Sequence, residues 1–231
     1  MADLKRGKGI ILFVVFNRWS VRFSMSQTEL YIVDVVEGGV HERYLYRCLA
    51  PMPYRKYERR RRYLESAVPG GLRKKILFYQ GSAVGQIEYA PAEASGYPIF
   101  GGNAVVLNCI WVLRRAKGHR FGRLLMNEMM RDYANADCFA TVGLEDHWSG
   151  WLRKEHMEYL GFRSIDSITV SHRVKHPDRR FKIHLMWIPN RSDEPPSWRR
   201  IDLLRGVDFC MAHPLYRAKS VRMEEILQRV M

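Results

Sequence analysis

Residues 105–130, VVLNCIWVLRRAKGHRFGRLLMNEMM, decide the reading of this chain. The first nine are an unbroken β-branched and apolar run behind Gly101-Gly102, the pattern of a buried strand. A basic, glycine-punctuated turn follows, from Arg114 through Lys117, Gly118, His119, Arg120 and Phe121 to Gly122. Leu124, Leu125, Glu128 and Met129 then recur at helical spacing. Strand, basic glycine turn and helix together make a phosphate cradle. Glycine lets the backbone approach, the first helical N–H groups lack partners, and the helix dipole favours negative charge.

Neither G-x-x-x-x-G-K-[ST] nor G-x-G-x-x-G occurs here. The stretch instead resembles the acyl-CoA loop of the GNAT superfamily of N-acetyltransferases, a strand ending V-x-P, then R/Q-x-x-G-x-G/A, then a helix. Val112 takes the valine place, Lys117 the R/Q place, Arg120 the first glycine and Gly122 the second. The resemblance implies acetyl-CoA as co-substrate, held by Val112, Leu113, Lys117, Gly118, His119, Arg120, Phe121 and Gly122. Arg120 departs from the pattern. It would either crowd a pyrophosphate or add a cation to it. A plain strand–turn–helix connection is the competing reading of the loop.

A second motif follows about 40 residues on, at a distance that suits helix, strand, helix. Residues 136–144 read as a strand and 149–160 as a helix, closed by Gly161-Phe162. Residues 157–162, MEYLGF, resemble the family's Y-x-x-x-G-F helix ending, in which glycine caps the helix in a left-handed conformation. Met157 stands in the tyrosine place, and a thioether cannot donate a proton. Tyr159, His156 and His147 lie near it in sequence; packing beneath the sheet is the alternative role for Tyr159.

The resemblance implies direct attack by an amine in a ternary complex. A splayed strand edge near Val112 would polarise the thioester carbonyl. Many members carry a glutamate base on this strand, but residues 105–113 contain no acid. Glu88 on the preceding strand is the first candidate base, with Glu145, Asp146 and His147 at the end of the next. Glu88, His147 and Tyr159 are therefore the candidate catalytic residues. Cys109 offers an acyl-cysteine route, though a central-strand cysteine is commonly core. Strict alternation puts Cys109 with Leu107 and Trp111, opposite Asn108 and Val112.

The expected fold class is α+β: a central mixed, mostly antiparallel, twisted sheet, splayed at the cofactor strand and flanked by helices. The 231 residues divide into an extension (1–26) with an extra strand, the acyltransferase domain (27–190) and a C-terminal appendage (191–231) docked on it. Within the domain, 30–36 reads as a strand, and 41–67 as helix interrupted at Pro51 and Pro53. Residues 75–80 and 83–90 form a hairpin across Gly81-Ser82, and 91–102 is a loop long enough to cover a site. Residues 163–170 and 182–188 are closing strands. The appendage starts after Pro189, with a short strand at 207–211 and a helix at 220–231.

The run 10–16 is too short to span a bilayer, and Met25 is an alternative start. Cys48, Cys109, Cys138 and Cys210 show no CxxC spacing, which points to free thiols, a cytoplasmic protein and no metal. A net charge of +14 favours an anionic partner. The densest cluster, Arg55, Lys56, Arg59, Arg60, Arg61 and Arg62, is either an RNA-binding stripe or the solvated face of an amphipathic helix. Three functions remain open: an N-acyltransferase of an amine acceptor, a nucleic-acid-binding protein on the same fold without catalysis, and an acyl-CoA-binding regulator.

Overall fold

The computed structural model describes residues 29–49, 58–217 and 225–230. The expected extension and its 10–16 strand, the breaks at Pro51 and Pro53, and Arg55 and Lys56 lie outside the described residues.

The strands are β1 (Leu30–Asp34), β2 (Arg73–Tyr79), β3 (Ser82–Pro91), β4 (Ile99–Phe100), β5 (Ala104–Val112), β6 (Cys138–Glu145), β7 (Arg163–His172), β8 (Arg180–Pro189), β9 (Ser197–Trp198) and β10 (Leu227–Arg229). The helices are α1 (Glu58–Ala67), α2 (Phe121–Asp132), α3 (Lys154–Tyr159) and α4 (Arg200–Leu203). Eight strands make one sheet in the order β1-β2-β3-β5-β6-β8-β7-β10, and β4 pairs with β9 separately. Every pair in the large sheet is antiparallel except β5–β6. The expected mixed, mostly antiparallel α+β architecture is the one observed.

Glu88 and Tyr89, adjacent on β3, show how the two faces are covered. Glu88 meets Arg60 of α1, whereas the Tyr89 hydroxyl donates to Asp132 of α2 at 2.7 Å. Helices α1 and α2 therefore lie on opposite faces. On α1 the buried residues Arg60, Leu64 and Ala67 fall one turn apart, and on α2 Phe121, Leu125 and Met129 make the inward stripe. The β2–β3 hairpin turns on Gln80 (φ 50°) and Gly81 (φ 69°), one residue earlier than expected, because a two-residue loop with both φ positive matches the strand twist.

The join between β5 and β6 positions the site. The two strands pair only over Ala104↔Cys138, Val105↔Phe139 and Val106↔Ala140, then part. At the fork the Thr141 hydroxyl donates to the Leu107 carbonyl at 2.8 Å. On the other side of β5, Glu88 pairs with Cys109 while Tyr89 pairs with Leu107, so Asn108 is the extra residue of a β-bulge.

Four expected elements differ. Helix α3 is half the expected length, because the chain before it runs beside β6: Leu144 N–H donates to Leu152 O at 2.7 Å, with Asp146 and Leu152 at positive φ. The loop 91–102 does not cover the cleft described below; it buries Tyr97 and Ile99 and joins β9 through Ile99↔Trp198. In place of a C-terminal helix, Leu227 pairs with His172 as β10 closes the β7 edge, residues 220–224 lying outside the described residues. The expected 207–211 strand is a single bridge, Val207↔Tyr216. Leu203, Phe209 and Leu215 of this segment are fully buried in the main core.

Candidate active site

A cleft of about 710 Å³ opens where β5 ends, between the N-terminus of α2 and α3. Of the residues expected around a cofactor, Val112, Lys117, Gly118, Arg120, Phe121 and Gly122 line it. Leu113 and His119 do not. Leu113 N–H donates to Val84 O at 2.8 Å, and the His119 ring stacks on Phe121 with centroids 5.0 Å apart. The lining also includes Arg114, Trp111, Gly150 and Arg153, none of which the motif reading selected. Gly150 and Arg153 were hidden inside the stretch expected to be helical; Arg114 belonged to the basic turn and could have been chosen.

The cradle at α2 is made by backbone. Arg120 is the N-cap residue at φ 57°, ψ 23°, in the left-handed region, and makes no side-chain cap bond. Gly118 is also left-handed, at φ +89°. An arginine here thus keeps the backbone geometry that a glycine supplies elsewhere, at a cost of about 1 kcal/mol. With no capping side chain, the start of α2 presents N–H groups and the positive end of the dipole to the cleft. Arg114, Lys117, Arg120 and Arg153 have no acidic partner among the described residues and stand around it. A Cβ at Gly122 would touch only Leu160, at 3.5 Å, so alanine fits the free protein. These features suit a diphosphate.

Helix α3 closes the cleft. Met157 is buried and lines it, and His156 and Tyr159 line it from exposed positions. The helix ends as the motif requires. Gly161 is left-handed at φ +104°, Phe162 N–H donates to Met157 O at 3.0 Å, and Gly161 N–H to Glu158 O at 2.9 Å, a Schellman cap. Tyr159 points outward, 58% exposed, under the Arg123 guanidinium at 4.7 Å. Trp111 on β5 stacks on Trp151 (4.4 Å, 21°), forming a wall that alternation alone did not reveal.

Glu88 and His147 are not brought to the cleft. Glu88 is buried, 2.6 Å from Arg60 and 3.7 Å from Lys74. Burial raises its pKa, but the two cations outweigh burial and hold it below the usual carboxylate range. A base with a raised pKa is therefore not what the fold provides there. His147 accepts a bond from Ser149 N–H on Nδ1 (3.0 Å), so its proton sits on Nε2, 3.3 Å from His172 Nε2. Burial, then His172, lowers its pKa to about 4, and both nitrogens are engaged. Among the described residues no carboxylate lines the cleft.

Two further expectations change. The bulge carries Asn108 onto the α1 face beside Cys109: Asn108 Nδ2 donates to Tyr63 Oη at 2.8 Å and to Ser95 O at 2.7 Å, while Cys109 meets Gln86 at 3.6 Å. Burial pushes the Cys109 thiol far up, against nucleophilic use. Of the described α1 arginines, Arg61 is exposed and the other three are engaged in ion pairs. Arg59 pairs with Asp208 at 3.0 Å, Arg60 with Glu88, and Arg62 with Glu58 at 3.0 Å. Among the described residues no cluster of three or more His, Cys, Asp or Glu is placed to hold a metal, and no helix is long and apolar enough to cross a membrane.

No protein-family model and no curated protein matches the chain. It is similar to several solved structures. A protein from Desulfovibrio desulfuricans described as a GNAT-family acetyltransferase is 14% identical over 70% of this chain and 99% of its own, with a TM-score of 0.48. The ribosomal-protein-alanine N-acetyltransferase of Brucella melitensis is 18% identical over 69% and 99%, TM-score 0.45. A GNAT-family acetyltransferase from Elizabethkingia anophelis with acetyl-CoA bound is 12% identical over 69% and 97%, TM-score 0.44. The first and third bear the name of the family that the two sequence motifs resemble.

Proposed function

We propose that this protein is a divergent GNAT-type acyltransferase, moving an acetyl or related acyl group from acyl-CoA to an amine by direct attack in a ternary complex. The fork between β5 and β6, leading to the uncapped start of α2, carries the reading. Past Val106 the β6-facing edge of β5 has no ladder bonds to β6, so its backbone can meet a thioester where a sheet would otherwise be closed. Lys117, Arg120 and the first N–H groups of α2 would take the diphosphate, with Gly118 and Gly122 leaving room. The amine attacks the thioester carbonyl carbon, the tetrahedral oxyanion is stabilised by backbone N–H groups, and the C–S bond breaks.

Met157 cannot protonate the leaving thiolate, so that proton comes from water or from His156 at the cleft wall, and the proton lost by the attacking nitrogen replaces it. With no carboxylate in the lining among the described residues, the amine enters already neutral. The rate should then rise with pH through the amine's own pKa. The free thiols fit a reducing, cytoplasmic setting.

Acetyl-CoA at a hundredfold its Kd should stabilise the protein by about 2.7 kcal/mol, a Tm rise of roughly 5–10 °C. Gly122→Ala should keep this shift and Gly122→Glu should lose it while folding normally. An unchanged shift in Gly122→Glu sinks the cofactor reading. Met157 and the missing carboxylate favour a second reading, an acyl-CoA-binding regulator without catalysis. Screening amines for free-thiol release separates the two, since the regulator binds acetyl-CoA and releases none.

A further inference from the structure

The cations around the cleft do not exhaust those at that end of the sheet. Strands β5 and β6 run parallel, β8 runs against β6, and β7 against β8. The loops 113–120, 146–153 and 173–179 therefore emerge together. Ring contacts tie them. Trp111 stacks on Trp151, and Trp148 meets His176 of the β7–β8 hairpin at 4.6 Å. Arg115, Lys175, Arg179 and Arg180 are exposed, stand off the cleft lining and have no ion-pair partner among the described residues. Arg173 pairs with Glu225 at 3.1 Å, and Asp146 and Asp178 are the acids in the second and third loops. The Trp148 indole, 36% exposed and backed by the His147 ring at 4.1 Å and 22°, rests against the hairpin that carries Lys175, Arg179 and Arg180.

We propose that this loop end is a binding surface for single-stranded nucleic acid, with Lys175, Arg179, Arg180 and Arg115 on phosphates and Trp148 stacking a base. Separated cations that no acid pairs with among the described residues suit a regularly charged backbone. A rigid aromatic face between them suits an unpaired base, which every single strand offers and a duplex does not. An acidic polypeptide would use the cations but has no need of the indole. The inference does not depend on acyl transfer.

Anisotropy of a short, end-labelled single-stranded oligoribonucleotide tests it. Lys175→Glu/Arg179→Glu should weaken binding at least tenfold. It should also flatten the log K against log salt slope by about 1.4, two contacts at roughly 0.7 each. Trp148→Ala should weaken binding roughly tenfold with the slope unchanged. Arg61→Glu/Arg62→Glu on α1 should stay within about twofold. Ultraviolet crosslinking of the unaltered protein should place adducts in 146–153 and 173–180. The proposal is overturned by absence of binding at low salt, by adducts or losses confined to α1, or by poly-glutamate competing as well as RNA. The acetyl-CoA thermal shift should persist in the hairpin variants, so failure here and failure of the acyltransferase reading are distinguishable.

Discussion

Arg120 spends its backbone on a conformation that favours glycine. Arg120→Gly should remove that strain and raise stability by up to about 1 kcal/mol, less the entropy glycine adds to the unfolded chain, measured by denaturant unfolding. Its effect on acetyl-CoA affinity reports the side chain separately. Weaker, less salt-sensitive binding means that the guanidinium meets phosphate, and tighter binding means that it crowds. Glu88 makes the opposite kind of prediction. Glu88→Gln leaves Arg60 buried without its countercharge, so it should cost about 3–5 kcal/mol in unfolding free energy. A variant that folds as well as the parent but turns over at least tenfold more slowly would restore Glu88 as the base. The sequence showed that an acid was missing from β5 but not where Glu88 would point its carboxylate. Partner choice among many arginines is a matter of three-dimensional packing, and Arg60 lies 28 positions away. Asn108 and Cys109 were misassigned for a similar reason, because a one-residue bulge breaks the period of two on which face assignment rests.

Among the elements, strand β5, helix α2 and the Gly161 cap were legible because their signals are local: a buried run, a glycine turn, a helical stripe. The short α3 and the C-terminal strand were not, since both are decided by edges offered by distant strands. Helix α1 and the segment 207–217 show what such non-local contacts do. Arg59 and Arg217 grip Asp208 at 3.0 and 3.1 Å, and Arg60 donates to the Phe209 carbonyl. The Phe209 ring, fully buried, lies against Tyr63, Tyr97 and His213. Phe209→Ala should therefore cost about 3–5 kcal/mol, read as a lower denaturation midpoint. A loss below 1 kcal/mol would show that the segment adds little to the fold. The basic run on α1, taken in sequence as an RNA stripe or a solvated face, is in part the clamp for this segment.

For the molecule as a whole, buried histidines set the acid limit. Burial lowers the pKa of His147 and of His172 from 6.5 to about 4, and that of His213 to about 3. Below pH 6.5 the unfolded chain binds protons that the folded chain refuses, so stability present above 6.5 is lost as pH falls toward 4. The loss is at most on the order of 3 kcal/mol for each fully shifted histidine. Tm should decline between pH 6.5 and 4, and His172→Leu should flatten that decline; an equally steep curve in the variant would place the titrating groups elsewhere.

Among the described residues three ladder pairs, Ala104–Val106 with Cys138–Ala140, helped by the Thr141–Leu107 bond, join four strands to four, against the eight residue pairs that knit β6 to β8. Mechanically the protein is two ribbons sharing a short seam. Stretched across that seam in single-molecule force experiments, it should yield there first, at lower load than along β6–β8. A ligand bridging both lips of the fork would act as a rivet, raising the rupture force and slowing deuterium uptake by the amides of residues 107–112.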